Sequence, residues 1–368
     1  MHRLQPVARI GQGAVHDGGQ RILQIAIAKR PAQGFIRGGR AIAHIGVIKQ
    51  IRHRYRLYRG ACVVQHNSAI AALRRMGRCD SVAMRNGNSD NGPMKTILIT
   101  GCSSGIGYDA AHTLAARGWR VFATCRQQKD ADRLVNEGLE ALALDYANEA
   151  GMKAALAEIF ARTGGRLDAL FNNGAYAIPG AVEDLPRDAL RAIFEVNLFG
   201  QFDLIRQVLP AMKAQGSGRI INCSSVLGFA ALRMRGAYIG TKFAMEGMSD
   251  ALRYENHQSP VHFSLIAPGP IATRIRENAI PHFERWIDWE ASALRRVYEK
   301  TLRPRLYEPA TKKDRFELPP SAVTAKLIHA LESRTPRARY YVTTPTYFAR
   351  YAKRFLPDSW ADAIFRRQ

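Results

Sequence analysis

The stretch KTILITGCSSGIG, Lys95 to Gly107, decides the fold. Lys95 to Thr100 is a short apolar run that reads as a buried strand. The residues after it set Gly101, Gly105 and Gly107 at G-x-x-x-G-x-G spacing. Glycine at these points permits a tight turn and lets a pyrophosphate approach the backbone. Ile106 to Arg117 then reads as a helix: Ala110, Ala111, Leu114 and Ala115 share one apolar face, and Gly118 is a natural stop. Its N-terminus offers unpaired N–H groups and a partial positive charge. An ordinary glycine-rich turn is the competing reading of a lone motif, and the strand–turn–helix setting weighs against it.

Working outward, Arg120 to Thr124 is a second strand, and Ala141–Leu144, Leu167–Phe171, Arg219–Cys223 and Val261–Ile266 are further ones, with helical patterns between them. Alternating strands and helices predict a parallel sheet covered on both faces. Such sheets bind ligands beyond the carboxyl ends of their strands. Upstream of Met94 the chain changes character. Residues 1–93 hold 14 Arg, 2 Lys, 3 Asp and no Glu, and so carry +13 of the chain's formal +23. The turn-rich stretch from Asn86 to Pro93 reads as a linker. We expect 1–93 to be a basic extension outside the working domain, of a composition that suits translation upstream of the true start, and 94–368 to be a single domain. A targeting arm or a nucleic-acid contact is the competing reading of the extension.

Several side chains fall where that sheet would present a ligand. The second strand ends Ala123-Thr-Cys-Arg126, with no carboxylate before Asp130. A carboxylate there would hold the ribose 2′-OH of NAD, whereas Arg126 suits the 2′-phosphate of NADP; a solvent-facing Arg is the bland alternative. Ser103 or Ser104 in the glycine turn could add a hydrogen bond. Asp145, ending the third strand, could accept from an adenine amino group or simply open a turn. Asn172, ending the fourth, could tie a loop to neighbouring strands. Tyr238 and Lys242 stand four apart in a stretch that reads as helical from about Ala237 to Glu255, so they share one face. A tyrosine's pKa is about 10, and a nearby ammonium lowers it. Such a tyrosine can give a proton to a carbonyl oxygen. Alone, Y-x-x-x-K is a chance pattern.

Together these residues resemble the short-chain dehydrogenase/reductases, most of all bacterial aldehyde reductases and the 17β-hydroxysteroid and retinol dehydrogenases. The resemblance covers roughly 94–368. It implies a doubly wound Rossmann-type α/β fold and an NADPH-dependent oxidoreductase. It implies an Asn197–Ser225–Tyr238–Lys242 tetrad. Tyr238 is then the acid/base, Lys242 lowers its pKa and holds the nicotinamide ribose, Ser225 holds the substrate oxygen, and Asn197 holds a water. Ser225 lies 13 residues before Tyr238, the family's separation. Cofactor contacts implied are Gly101, Ser103, Ser104, Gly105, Ile106, Gly107, Arg126, Asp145, Asn172, Tyr238, Lys242, Pro268, Gly269 and Thr273. The family's N-N-A-G is here Asn172-Asn-Gly-Ala175, and we expect the loop to survive with altered backbone angles.

A substrate lid is expected over about 271–318. Its Phe283, Trp286, Ile287, Trp289 and Leu294 suit a small hydrophobic aldehyde, ketone, retinoid or steroid, or only pack the lid onto the core. Tyr347 to Phe365 mixes aromatics with Arg350, Lys353 and Arg354; it covers the domain's own core or lies on a membrane surface. Five cysteines without a C-x-x-C pair argue against a disulfide framework and for a cytoplasmic setting. No metal site is expected, nor a nucleic-acid partner, since the basic quarter holds few aromatics. A homodimer or homotetramer is the family expectation. The alternative function is a catalytically weak cofactor-binding regulator on the same fold.

Overall fold

The computed structural model describes residues 94–308 and 315–365. The extension 1–93 and the stretch 309–314 of the expected lid lie outside the described residues.

Seven strands form one parallel sheet: β1 Thr96–Thr100, β2 Arg120–Cys125, β3 Glu140–Ala143, β4 Ala169–Asn172, β5 Gly218–Cys223, β6 Val261–Pro268 and β7 Arg339–Val342, in the order β3-β2-β1-β4-β5-β6-β7. The chain winds outward from β1 to β3 and returns to β4 on the other side of β1. That reversal opens a crevice at the carboxyl ends of β1 and β4. β1 is buried throughout, and its alternation splits the core. Ile97 and Ile99 face the helices α1 (Gly105–Ala116), α2 (Gln128–Asn136) and α8 (Ser321–Glu332). Leu98 faces α3 (Glu149–Thr163) and α5 (Gly200–Ala214). Strands buried on both faces explain why the sequence showed continuous apolar runs.

The remaining helices matter more for the site. α4 (Arg187–Phe194) runs through a π-helical turn, Glu195–Phe199, into α5. α6 (Gly236–Glu255) packs against β6. α7 (Ile275–Trp286) and an irregular helical run, Arg295–Val297, Tyr298–Leu302 and Arg303–Tyr307, lie in the segment expected to form the lid.

The sequence did not reveal β7. Its residues RYYV alternate, with Tyr340 and Val342 buried and Arg339 and Tyr341 half-buried, over only four positions. Beyond it the tail forms α9 (Thr344–Phe355) and α10 (Asp358–Phe365). α9 is inverted: it buries Thr346, Ala349 and Ala352 and exposes Tyr347, Phe348, Tyr351 and Phe355. The small residues let the helix sit close to the domain, and the large ones point away from it.

Candidate active site

The glycine turn links β1 to α1. Gly101 and Gly105 have φ of +70° and +62°, the left-handed region that favours glycine. Space decides the third position: a Cβ on Gly107 would stand 2.3 Å from the Gly101 carbonyl oxygen. Ser104 caps α1 without spending its side chain on the helix, and Ser103 holds Arg133 through its carbonyl at 2.7 Å. Ile106 is half-buried against the core below. Thr273, beyond Pro268-Gly269, lies over the turn, since a Cβ on Gly105 would meet its Cγ2 at 3.0 Å. Two segments expected to contact the cofactor therefore stand close together. Gly269 is crowded from the other side, where a Cβ would run into the hydroxyls of Thr343 and Thr346.

A buried polar network ties this turn to the rest of the sheet. The Thr100 hydroxyl accepts from the Asn173 and Gly174 amides at 2.9 and 3.1 Å and lies 2.7 Å from the Tyr146 hydroxyl. Tyr146 donates to Asn172 Oδ1 at 2.8 Å, Asn172 to Asn222 at 3.0 Å, and Asn222 to Ser249 on α6 at 3.0 Å. Burial pushes the Tyr146 hydroxyl well above the usual tyrosine range, so it remains a donor. Asn172 is thus wholly buried and engaged with protein neighbours. The residue that reaches the glycine turn is Asn173, whose Nδ2 donates to the Thr100 and Gly101 carbonyls at 3.0 and 3.3 Å. Sequence reading passed over both Asn173 and Tyr146. Their only signal was adjacency to Asn172 and Asp145. Neither Gly174 nor Ala175 of the exchanged pair has a left-handed φ, so the loop places no glycine-only backbone demand on either position. Closeness is demanded of Gly101, where a Cβ would meet the Gly174 Cα at 2.6 Å.

Arg126 follows β2 directly and is exposed. Its charge reaches Tyr176 and His282, which stack with ring centroids 4.0 Å apart and join the loop after β4 to lid helix α7. Burial pushes the Tyr176 hydroxyl up to about 12, and burial with Arg126 and Arg285 holds His282 below its ordinary value. Asp145 stands two residues past the end of β3 and accepts from the Ala147 amide at 3.0 Å, so it does open a turn.

The tetrad positions lie on three elements at the carboxyl end of β5. Ser225 follows β5; its Oγ accepts from the Leu227 amide at 3.1 Å, and its hydroxyl lies near enough to Tyr238 to favour the tyrosinate. Tyr238 and Lys242 project from one face of α6, with Lys242 Nζ 5.6 Å from the Tyr238 ring centre. Lys242 donates to the Cys223 carbonyl at 2.7 Å. Asn197 sits in the π-helical turn, a feature common at functional sites. Its amide accepts from Tyr176 N at 3.0 Å and donates to Tyr176 O at 2.8 Å, fixing the loop that carries the Tyr176–His282 stack.

The electrostatics depart from the simple pairing expected. Burial pushes the Tyr238 hydroxyl well above its ordinary range, a nearby Cys223 adds to this, and Ser225 opposes it. Burial also pulls Lys242 down to about 8. Burial therefore outweighs the mutual tuning that the four-residue spacing suggested, and favours the protonated form of Tyr238. Apolar walls complete the site: Tyr238 and Ala237 share one cluster with Ile178, Phe283, Ile287, Tyr298 and Leu302. Trp286, Trp289 and Leu294 pack on that cluster half-buried. Among the described residues no group of three or more His, Cys, Asp or Glu could hold a metal ion.

A parallel sheet with a glycine turn at its reversal and a Ser–Tyr–Lys cluster on the adjoining strand and helix is shared with known enzymes. Residues 95–282 match the short chain dehydrogenase family. The chain belongs to this family of oxidoreductases. It is 36% identical over 272 residues to the oxidoreductase YbbO of Escherichia coli (strain K12), covering 74% of this chain and 94% of that one. It is 31% identical over 275 residues to 17-beta-hydroxysteroid dehydrogenase type 1 of Homo sapiens, covering 71% and 78%. Among solved structures, actinorhodin polyketide ketoreductase with NADPH is 26% identical with a TM-score of 0.55, covering 68% of this chain and 95% of that one.

Proposed function

We propose that the protein is an NADPH-dependent reductase of small hydrophobic aldehydes or ketones, retinoid- or steroid-like ones included, or acts on the corresponding alcohols. The observation that carries this reading is the convergence of Ser225, Tyr238 and Lys242 at the carboxyl end of β5, against the apolar cluster of the expected lid. The crevice fits a dinucleotide because Gly101 and Gly105, in the left-handed backbone that favours glycine, make the tight turn that presents the N-terminus of α1 to a pyrophosphate. When bound, the nicotinamide supplies the hydride.

The chain's own residues do the rest. The turn from Gly101 to Gly107, with Ser103, Ser104 and Ile106, would hold the pyrophosphate bridge. Arg126 pairs with a 2′-phosphate and Asp145 faces the adenine. Pro268, Gly269 and Thr273 close over the nicotinamide end. Asn172 supports this crevice from below. Ser225 and Tyr238 hold the carbonyl oxygen, and the neutral Tyr238 hydroxyl gives it a proton. Lys242 binds the ribose and stabilises the tyrosinate left behind. Asn197 fixes the Tyr176 loop and orders a water for proton return. A cofactor-binding regulator is disfavoured because all four tetrad positions are filled.

The human relative is a 17-beta-hydroxysteroid dehydrogenase, which supports a hydrophobic substrate here. We place the enzyme in a reducing, cytoplasmic setting, in keeping with the buried free thiols of Cys102, Cys125 and Cys223. The exposed Phe199, Phe243 and Met248 suit a homodimer or homotetramer, and the outward aromatics of α9 suit a lipid surface. We take 94–368 as the working domain. NADPH and NADH consumption measured against aldehydes, ketosteroids and quinones tests the reading. Turnover favouring NADPH on an apolar carbonyl supports it; no turnover with any, despite NADPH binding, favours the regulator.

A further inference from the structure

We propose that Glu246 is the counter-charge that keeps Lys242 protonated, and that Arg339 on β7 sets how much of that charge Lys242 receives. This rests on the reading that Lys242 works as an ammonium.

Tyr238, Lys242 and Glu246 follow at four-residue steps on α6 and so share its buried face. Lys242 is 1% exposed and Glu246 8%. A buried ammonium is costly without a partner of opposite charge. Yet the atoms that Lys242 Nζ touches are neutral: the Cys223 carbonyl at 2.7 Å and Met245 Sδ at 3.9 Å. The charged and titratable groups facing it are Tyr238 and Glu246 on its own helix, Cys223 on β5 and, through Glu246 and Asp250, Arg339 on β7. The others on packed elements, Arg187, Asp188, Arg191, Glu195 and His262, are exposed. Tyr238 is held protonated by burial, and burial pushes the Cys223 thiol up to about 11. At neutral pH that leaves Glu246 as the negative charge on Lys242.

The surroundings of Glu246 look built for this. Its Oε2 accepts from Arg339 Nε at 2.7 Å, while its buried Oε1 has no hydrogen-bond partner among the described residues. Arg339 is shared, donating also to Asp250 Oδ2 at 2.6 Å. The turn after Ser225 presses on the same side chain: a Cβ on Gly228 would stand 2.9 Å from Glu246 Cγ and 2.7 Å from Ser224 Oγ. Glu246 is thus clamped between the catalytic serine loop and β7. It is a positioning residue, acting on the reaction through Lys242.

The two partners act on Lys242 with opposite sign. Glu246 attracts its proton, and Arg339 repels it while drawing on Glu246. The test is the titration midpoint of the Lys242 side chain, followed by NMR on full-length protein with 13C-labelled lysine, beside NADPH affinity against pH. Glu246→Gln should lower the midpoint by about one pH unit, and Arg339→Gln should raise it. Arg339→Lys, which keeps the charge, should leave it near the wild-type value. Midpoints that stay put, or that move the same way in Glu246→Gln and Arg339→Gln, overturn the proposal. If Glu246→Gln does not fold, the Arg339 pair carries the same test of sign. Midpoints that move as expected while NADPH affinity ignores pH uphold the role of Glu246 and overturn the reading that Lys242 must be charged.

Discussion

Two helices of this protein break the ordinary amphipathic rule in opposite directions. α6 turns polar and ionisable side chains inward: Tyr238, Thr241, Lys242, Glu246 and Ser249 are all buried. α9 turns its aromatics outward, with Phe355 72% exposed and Tyr351 58%. A helix in a globular domain is expected to bury its large apolar residues and expose its charges. Burying a lysine lowers stability unless the site returns something for it. Exposing a row of aromatics is tolerated when something outside the domain uses them. The first deviation points inward to chemistry and the second outward to a surface. Substitutions on α6 should therefore change catalysis, and substitutions on α9 should leave it alone.

The largest expected effect is on α6. Tyr238→Phe keeps the ring in its apolar cluster but removes the proton, and turnover should fall by at least ~100-fold, the lower end for general acid catalysis. Cofactor affinity, read by NADPH fluorescence, should change little. The cofactor side of the site should respond next. On the proposed pairing of Arg126 with a 2′-phosphate, Arg126→Ala removes a charge-assisted contact worth about 1.5–3 kcal/mol. The ratio of kcat/KM for NADPH over NADH should drop by about tenfold or more, and an unchanged ratio would make Arg126 a solvent-facing residue.

On α9, Tyr351→Ser with Phe355→Ser should leave turnover unchanged and shift stability by no more than about 0.5 kcal/mol per site, as for surface positions. Binding to vesicles of mixed neutral and anionic lipid should weaken. A large loss of stability would mean that α9 covers core after all. Smallest of all should be the effect of starting the chain at Met94. That form should match the full chain in melting temperature and turnover, and misfolding would place part of 1–93 inside the working domain.

The two helices also differ in how legible they were. Tyr238 and Lys242 could be found because a polar pair at helical spacing stood amid other motifs at family separations. The sheet was readable because buried parallel strands leave apolar runs, and six of the seven observed strands lie on predicted ones. β7 escaped, since four alternating residues fall below any periodic signal, and nothing in the sequence pointed to Arg339. The roles of Asn172, Asn173 and Tyr146 were also hidden. Which of two adjacent asparagines points into the sheet and which toward the glycine turn depends on strand register, which spacing alone does not give. The pKa balance was misjudged for a related reason. Helical spacing shows which groups meet, but burial depends on the lid and β5, far away in sequence.

The central claim is that a hydride passes to a carbonyl held at Tyr238. NADPH carrying deuterium on the transferred position, supplied with an apolar aldehyde, tests it most directly by mass spectrometry of the alcohol formed. The account predicts one deuterium on the carbinol carbon for each NADPH consumed, with the rate collapsing in Tyr238→Phe. NADPH oxidised without label in the alcohol, or label transferred at full rate by Tyr238→Phe, would contradict it.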